Sequence, residues 1–208
     1  MRLIKPGFEI VELVDGDNIL KTIEKYGRVC YKSEDLITDD SAEIFVRKII
    51  QSGHESVIEH CKISIKIICD RGVSHEIVRH RIASYSQEST RYCNYANEKF
   101  GNELTFIIPL FFEENSKMYK VWKSTMQMIE DNYNTMIAAG ARPEEARSIL
   151  PNSLKTEIIV TMNLREWRHF CKLRTSENAH PQMREIAIPI LKELQRILPV
   201  VFEDINVA

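Results

Sequence analysis

Apolar residues recur along the chain at two spacings, and the changes between them mark the elements. Over residues 61–69 the period is two: Ile63, Ile65 and Ile67 point one way and Lys62, Ser64 and Lys66 the other, which predicts a strand with one buried face. Residues 8–14 alternate apolar and acidic positions and predict an earlier strand; 104–108, stopped by Pro109, and 154–162 predict two more. Helical spacing governs the rest. Asp17 is placed to cap a helix running to about residue 31, and Asp39, Asp40 and Ser41 to open a second. In that second helix Ala42, Phe45, Val46, Ile49 and Ile50 share a face and Gly53 ends it.

Residues 71–81 predict a helix followed by an irregular polar stretch to Tyr95. A long helix is expected over 113–139, with Met118, Trp122, Thr125, Met126, Ile129, Tyr133, Met136 and Ile137 on one face and Gly140 at its end. Pro143 begins a short helix carrying Arg147, and 164–173 and 181–198 are helices. The last has the stripe Met183, Ile186, Ala187, Ile190, Leu191, Leu194, Ile197 and Leu198. Strands and helices alternate without a βαβ beat and without a glycine-rich turn after a strand. The expectation is an α+β fold, helices packed on a mainly antiparallel or mixed sheet, with residues 1–208 forming one domain.

Composition changes this picture little. The chain of 208 residues has 44% apolar and 28% charged residues, and its formal charge of −2 argues against wholesale binding to nucleic acid or an anionic membrane. Five cysteines without a CxxC pair suggest neither a zinc ribbon nor a disulfide framework. No signal-like leader and no apolar run near the roughly 20 residues of a membrane span are visible, so a cytoplasmic location is expected. His54 and His60 read as packed, satisfied histidines and His75 as structural. Glu55 and Glu59 lack the further ligands a metal site needs, and no metal is expected. Ser89 lacks a neighbouring base and is not read as a nucleophile.

Chemistry concentrates in residues 79–91. Arg79, His80 and Arg81 are consecutive at a predicted helix end, where side chains about 100° apart fan out rather than share a face. Such a fan serves two ligands at once, and arginine forks meet phosphate oxygens in pairs. Ser89-Thr90-Arg91 follows after seven residues, in a loop dense in hydroxyls and amides. Such a loop with Tyr85, Tyr92 and Tyr95 also fits a nucleotide- or RNA-binding module, though the net charge and Gln87-Glu88 count against that.

The spacing of Arg79-His80-Arg81 and Ser89-x-Arg91 resembles the RHR-x7-SxR signature of the flavin-dependent thymidylate synthases. Gly53-His54-Glu55-Ser56 with Glu59-His60 is similar to that family's GHE block, Ala146-Arg147-Ser148-Ile149-Leu150-Pro151 to its AR-x2-LP block, and Asn163-Leu164-Arg165 and Leu173-Arg174 to its N-x-R and LR elements. The resemblance implies an FAD enzyme that takes hydride from NADPH and uses methylenetetrahydrofolate to convert dUMP to dTMP. It implies a homotetramer whose sites are shared between subunits. Ser56, Glu59, Arg79, His80, Arg81, Gln87, Asn163, Leu164, Arg165 and His169 would meet the flavin. Glu76, Arg79, Gln87, Glu88, Ser89, Arg91, Arg147 and Arg174 would meet dUMP, Arg91 and Arg147 at the phosphate. Arg174 matches the catalytic arginine beside uracil N3. The chain departs from the pattern at Glu76, where glutamine is usual, at Gln87-Glu88, at His169 in place of asparagine, and at Asn178-Ala179-His180.

Overall fold

The computed structural model describes residues 1–97 and 101–207. The chain forms two compact units from interleaved segments. The first takes Met1–Gly7, Ile67–Arg79 and Ser86–Ile158, the second Phe8–Lys66, His80–Tyr85 and Ile159–Ala208. Strands β1 (Arg2–Ile4), β2 (Gly7–Ile10), β3 (Lys62–Asp70), β4 (Ala83–Gln87), β5 (Thr105–Ile107) and β6 (Lys155–Asn163) make two sheets. One is the parallel pair β1–β5, with Leu3 opposite Phe106. The other has the order β2-β3-β6-β4 and is mainly antiparallel. Between β3 and β6 the Leu164 N–H donates to the Cys61 carbonyl (3.0 Å) and the Ser64 and Thr161 hydroxyls meet at 2.9 Å, so numbers fall on one strand as they rise on the other. Helices dominate the remainder, and the α+β expectation holds.

In the second unit, α1 (Gly16–Val29) is capped by Asp15, whose side chain accepts from the Asn18 N–H at 3.0 Å; the cap stands two residues before the expected Asp17. Helix α2 (Ser41–Gln51) ends at Gly53, whose φ of +70° is the left-handed conformation glycine adopts without strain. Helices α6 (Leu164–Arg174), α7 (Pro181–Ile197) and α8 (Pro199–Phe202) complete the unit. Trp167, Phe170, Ile186, Ile190, Leu194 and Ile63 are fully or almost fully buried, and the Trp167 indole N–H donates to the Ile63 carbonyl at 2.9 Å, tying α6 to β3. The chain enters α6 from β6 through Asn163, whose side-chain carbonyl caps the Glu166 N–H at 2.8 Å.

In the first unit, α3 (Arg71–Ile77) is capped by Asp70, α4 (Lys117–Ala138) by Ser116, and α5 (Pro143–Ala146) runs into a 3₁₀ turn, Arg147–Ile149. Tyr95, Leu104, Phe106, Met126, Tyr133, Ala146 and Leu154 form its core. The start of α4 sits in a different register from the one expected: Met118 and Thr125 are exposed, and Tyr119 is buried instead. Gly140, at φ +97°, turns the chain out of α4. Among the described residues no helix is long and apolar enough to cross a membrane.

Three local expectations are corrected. Helix α3 stops at Ile77, so Arg79, His80 and Arg81 lie beyond it on non-helical backbone, and the angular fan does not apply. The stretch expected to be irregular contains β4, whose polar residues pair at a sheet edge that supplies partners their own propensity would not predict. The strand expected over 8–14 ends at Ile10, because Glu12 turns its carboxylate onto the Ser64 N–H at 2.7 Å.

Candidate functional site

The second unit contains a cleft of about 500 Å³ in which α6 presents a row of side chains. Asn163, Arg165, His169 and Glu59 line it, four of the residues expected at the flavin, together with Glu55, Glu166, Arg168 and Lys172. Arg165 and His169 are one helical turn apart and both exposed. Arg165 Nη1 binds Glu59 at 2.5 Å, so this pair is neutralised at the rim. Arg168 is committed elsewhere: 2% exposed, it forks onto both oxygens of Asp204 (2.6 and 2.7 Å), donates to Glu55 at 3.0 Å and also reaches the Val201 carbonyl. Ser56 is exposed on the 3₁₀ turn Glu55–His60. The Leu164 side chain is buried in the core.

His80 is the most enclosed of the expected site residues with a titratable group. Its ring is packed edge-on against Phe170 (centroids 5.0 Å) and lies 5.4 Å from the His169 ring. Nδ1 stands 3.0 Å from Glu166 Oε1, and Arg174 Nε donates to Nε2 at 3.1 Å. An arginine Nε carries a hydrogen and no lone pair, so Nε2 must be unprotonated and the imidazole proton must sit on Nδ1, facing Glu166. Burial lowers the His80 pKa and the Arg174 charge lowers it further, against an opposing pull from Glu166. The Tyr85 hydroxyl donates to the His80 carbonyl and, half-buried, is pushed up to about 12 by loss of water. Donor atoms of His80, Glu166 and His169 fall within 4.8 Å of one another. Because both nitrogens of His80 are already engaged, the group is a hydrogen-bond chain rather than a metal cage. His54 and His60, expected to be packed inside, are exposed; His60 meets only the edge of Tyr26 at 5.1 Å.

The first unit holds most of the residues expected at the nucleotide. Gln87 donates to the hydroxyls of Ser74 (3.0 Å) and Thr156 (3.2 Å). Glu88 accepts from Tyr95 (2.8 Å) and Lys155 (2.9 Å), and burial raises the Tyr95 pKa. Glu88, Tyr95 and Lys155 border a cleft of about 320 Å³. Ser89 Oγ accepts from the Arg91 N–H at 3.2 Å, which shapes the loop. Arg91 Nε pairs with Glu144 at 3.0 Å, three residues before Arg147, so the two expected phosphate arginines belong to one local surface, both exposed. Glu76 on α3 is half-buried and Arg79 is exposed.

The expected flavin residues Ser56, Glu59, His80, Arg81, Asn163, Leu164, Arg165 and His169 thus fall in the second unit with Arg174. Glu76, Arg79, Gln87, Glu88, Ser89, Arg91 and Arg147 fall in the first. Sequence reasoning missed Glu166, Lys155, Glu144 and Arg168. Only Glu166 had a signal, the Asn163-x-x-Glu166 cap spacing, and that spacing speaks of a helix start rather than of His80.

A family model described as thymidylate synthase complementing protein matches residues 12–200. The flavin-dependent thymidylate synthase of Pyrococcus furiosus is 39% identical over 175 residues, covering 84% of this chain and 71% of the relative. That of Geobacter sulfurreducens is 36% identical over 184 residues, covering 85% and 78%. Among solved structures, the UMP/dUMP methylase PolB from Streptomyces cacaoi, bound with 5-Br dUMP, superposes with a TM-score of 0.79 at 22% identity over 98% of this chain and 96% of that one; this shows a shared fold. With one family model spanning both units and relatives above 30% identity over most of their length, the chain belongs to the flavin-dependent thymidylate synthase family.

Proposed function

We propose that the chain, acting as one catalytic domain over residues 1–208, performs the reductive methylation of dUMP to dTMP. Methylenetetrahydrofolate is the carbon donor, and FAD reduced by NADPH is the hydride source. Kinship with enzymes named flavin-dependent thymidylate synthase over more than four-fifths of the chain carries this reading.

The donor set of the α6 cleft fits a dinucleotide. Arg165, His169 and Lys172 offer cationic or N–H groups suited to phosphate oxygens, and the carboxylates of Glu55 and Glu59 suit ribose hydroxyls. A volume of about 500 Å³ is within the usual range of about 300–1,000 Å³ for ligand clefts. Ser56, Glu59, Arg79, His80, Arg81, Gln87, Asn163, Leu164, Arg165 and His169 would hold the cofactor, which supplies hydride when bound and reduced. Opening of the Glu59–Arg165 pair would free one group of each sign for it.

On the substrate side, Arg91 and Arg147 would bind the phosphate of dUMP, and Glu76, Arg79, Gln87, Glu88 and Ser89 would position sugar and base. Arg174 would stand beside uracil N3. Methylation at C5 requires negative charge to build on the pyrimidine, and a fixed guanidinium stabilises that charge without reorganising. His80, neutral and hydrogen-bonded to Arg174 Nε, fixes that guanidinium and adds no competing charge. The proposed state is a cytoplasmic homotetramer whose sites draw on several subunits. The test is a visible absorption spectrum of the FAD-reconstituted protein titrated with dUMP. A bound flavin band perturbed by dUMP but not by deoxyuridine is expected; a colourless protein that still binds nucleotides would overturn the reading in favour of a binding module.

A further inference from the structure

Glu166 belongs to none of the sequence blocks discussed above, yet it is 7% exposed and faces the ring of His80. Its place is fixed by the fold: it lies in the first turn of α6, with its own N–H capped by Asn163, where a carboxylate is favoured by the helix dipole. From there Oε1 lies 3.0 Å from His80 Nδ1, while Nε2 of the same ring receives Arg174 Nε at 3.1 Å. The two contacts are one device. A neutral imidazole has one donor and one acceptor nitrogen, and whichever partner claims the proton decides what the other nitrogen can do.

We propose that Glu166 is a positioning residue: it holds the His80 proton on Nδ1, so that Nε2 grips the Nε edge of Arg174 and sets the plane of its guanidinium. This rests on the reading of Arg174 as the group beside uracil. Arginine does not titrate, so the chain orients and does not relay a proton. In this role Glu166 acts on Arg174 through His80.

The test uses full-length, FAD-loaded protein labelled with ¹⁵N-histidine, read by long-range ¹H–¹⁵N correlation, beside steady-state kinetics. In the wild type the His80 proton is expected on Nδ1. Glu166→Leu should lose that preference and lower kcat about 100-fold, the size of effect a small misplacement produces. Its KM for dUMP should stay within about threefold, since binding common to ground and transition states is untouched. Glu166→Gln, which keeps a carbonyl acceptor, should restore the tautomer and most of kcat. A wild-type enzyme that makes dTMP with the His80 proton on Nε2 would overturn the positioning role alone, as would a Leu variant with unchanged tautomer. If the Leu variant does not fold, the wild-type tautomer and the Gln variant still decide. Absence of dTMP from wild-type protein whose His80 proton sits on Nδ1 would overturn the functional reading, and with it the role in the reaction.

Discussion

Arg174 and His80, 94 residues apart in the chain, share a hydrogen bond of 3.1 Å in which the arginine Nε–H donates and the imidazole Nε2 accepts. That bond exists only while His80 is neutral, since a protonated ring offers two donors and no acceptor. Glu166, His169 and Arg174 face the ring from α6, and Tyr85 of β4 reaches its carbonyl. Burial, then the Arg174 charge, lowers the His80 pKa in the native state, while the unfolded chain titrates near the ordinary value of about 6.5. The folded protein therefore binds fewer protons than the unfolded chain in this window. Its stability contribution is complete above about pH 6.5 and is lost as pH falls through the native pKa. The urea midpoint should drop between about pH 7.5 and 5.5, and the drop should shrink in His80→Asn. Parallel drops in the two proteins would contradict this.

Arg91 is already paired with Glu144, and Arg147 follows Glu144 by three residues. If these two arginines bind the phosphate of dUMP, Arg147→Ala and Arg91→Ala should weaken dUMP by roughly 1.5–3 kcal/mol, the worth of a hydrogen bond to a charged group, and leave deoxyuridine little changed. Removing the competitor in Glu144→Gln should tighten dUMP. Calorimetric titration with both ligands distinguishes the cases; equal losses for nucleotide and nucleoside would remove the phosphate assignment.

The elements that could be read in the sequence are those whose signal is local. The alternation of Ile63, Ile65 and Ile67 gives β3 because one face of that strand is buried, and Pro181 with a stripe of apolar residues gives α7 because a helix shows its face every three or four residues. Strand β4 was not legible, since Ser84, Ser86 and Gln87 take strand geometry from their neighbours in the sheet and not from their own preference. The site divides in the same way. Asn163, Arg165 and His169, expected from the family resemblance, line one cleft, the last two a helical turn apart. The Glu166–His80–Arg174 chain joins residues 86 and 94 positions apart, and no local pattern encodes such a contact.

Arg168 illustrates the cost of a buried cation. Its guanidinium is satisfied by Asp204, Glu55 and the Val201 carbonyl, and Arg168 in turn holds the Asp204 carboxyl below its usual range. Asp204→Asn should destabilise the protein by about 1–3 kcal/mol, toward the lower end because Asp204 itself is 43% exposed. Chemical denaturation at neutral pH measures this. No change in midpoint would show that water satisfies Arg168 equally well.

The cysteines should separate by reactivity. Burial pushes the thiols of Cys69 and Cys171 up to about 12 and raises that of Cys61, whereas Cys30 is exposed. The thiolate is the reacting species, so brief treatment of native protein with iodoacetamide at neutral pH should label Cys30 and spare Cys61, Cys69 and Cys171 until denaturant is added. Peptide mass mapping reads the pattern, and early labelling of Cys171 would contradict the burial of α6.

The account stands on reductive methylation assisted by Arg174, and an anaerobic dTMP assay tests that most directly. The assay supplies dUMP, methylenetetrahydrofolate, FAD and NADPH, omits each in turn, and is repeated with Arg174→Ala. The predicted result is dTMP from the wild type only when all four are present, and none from an Arg174→Ala protein that still binds flavin. dTMP that forms without flavin, or at an unchanged rate in the variant, would contradict it.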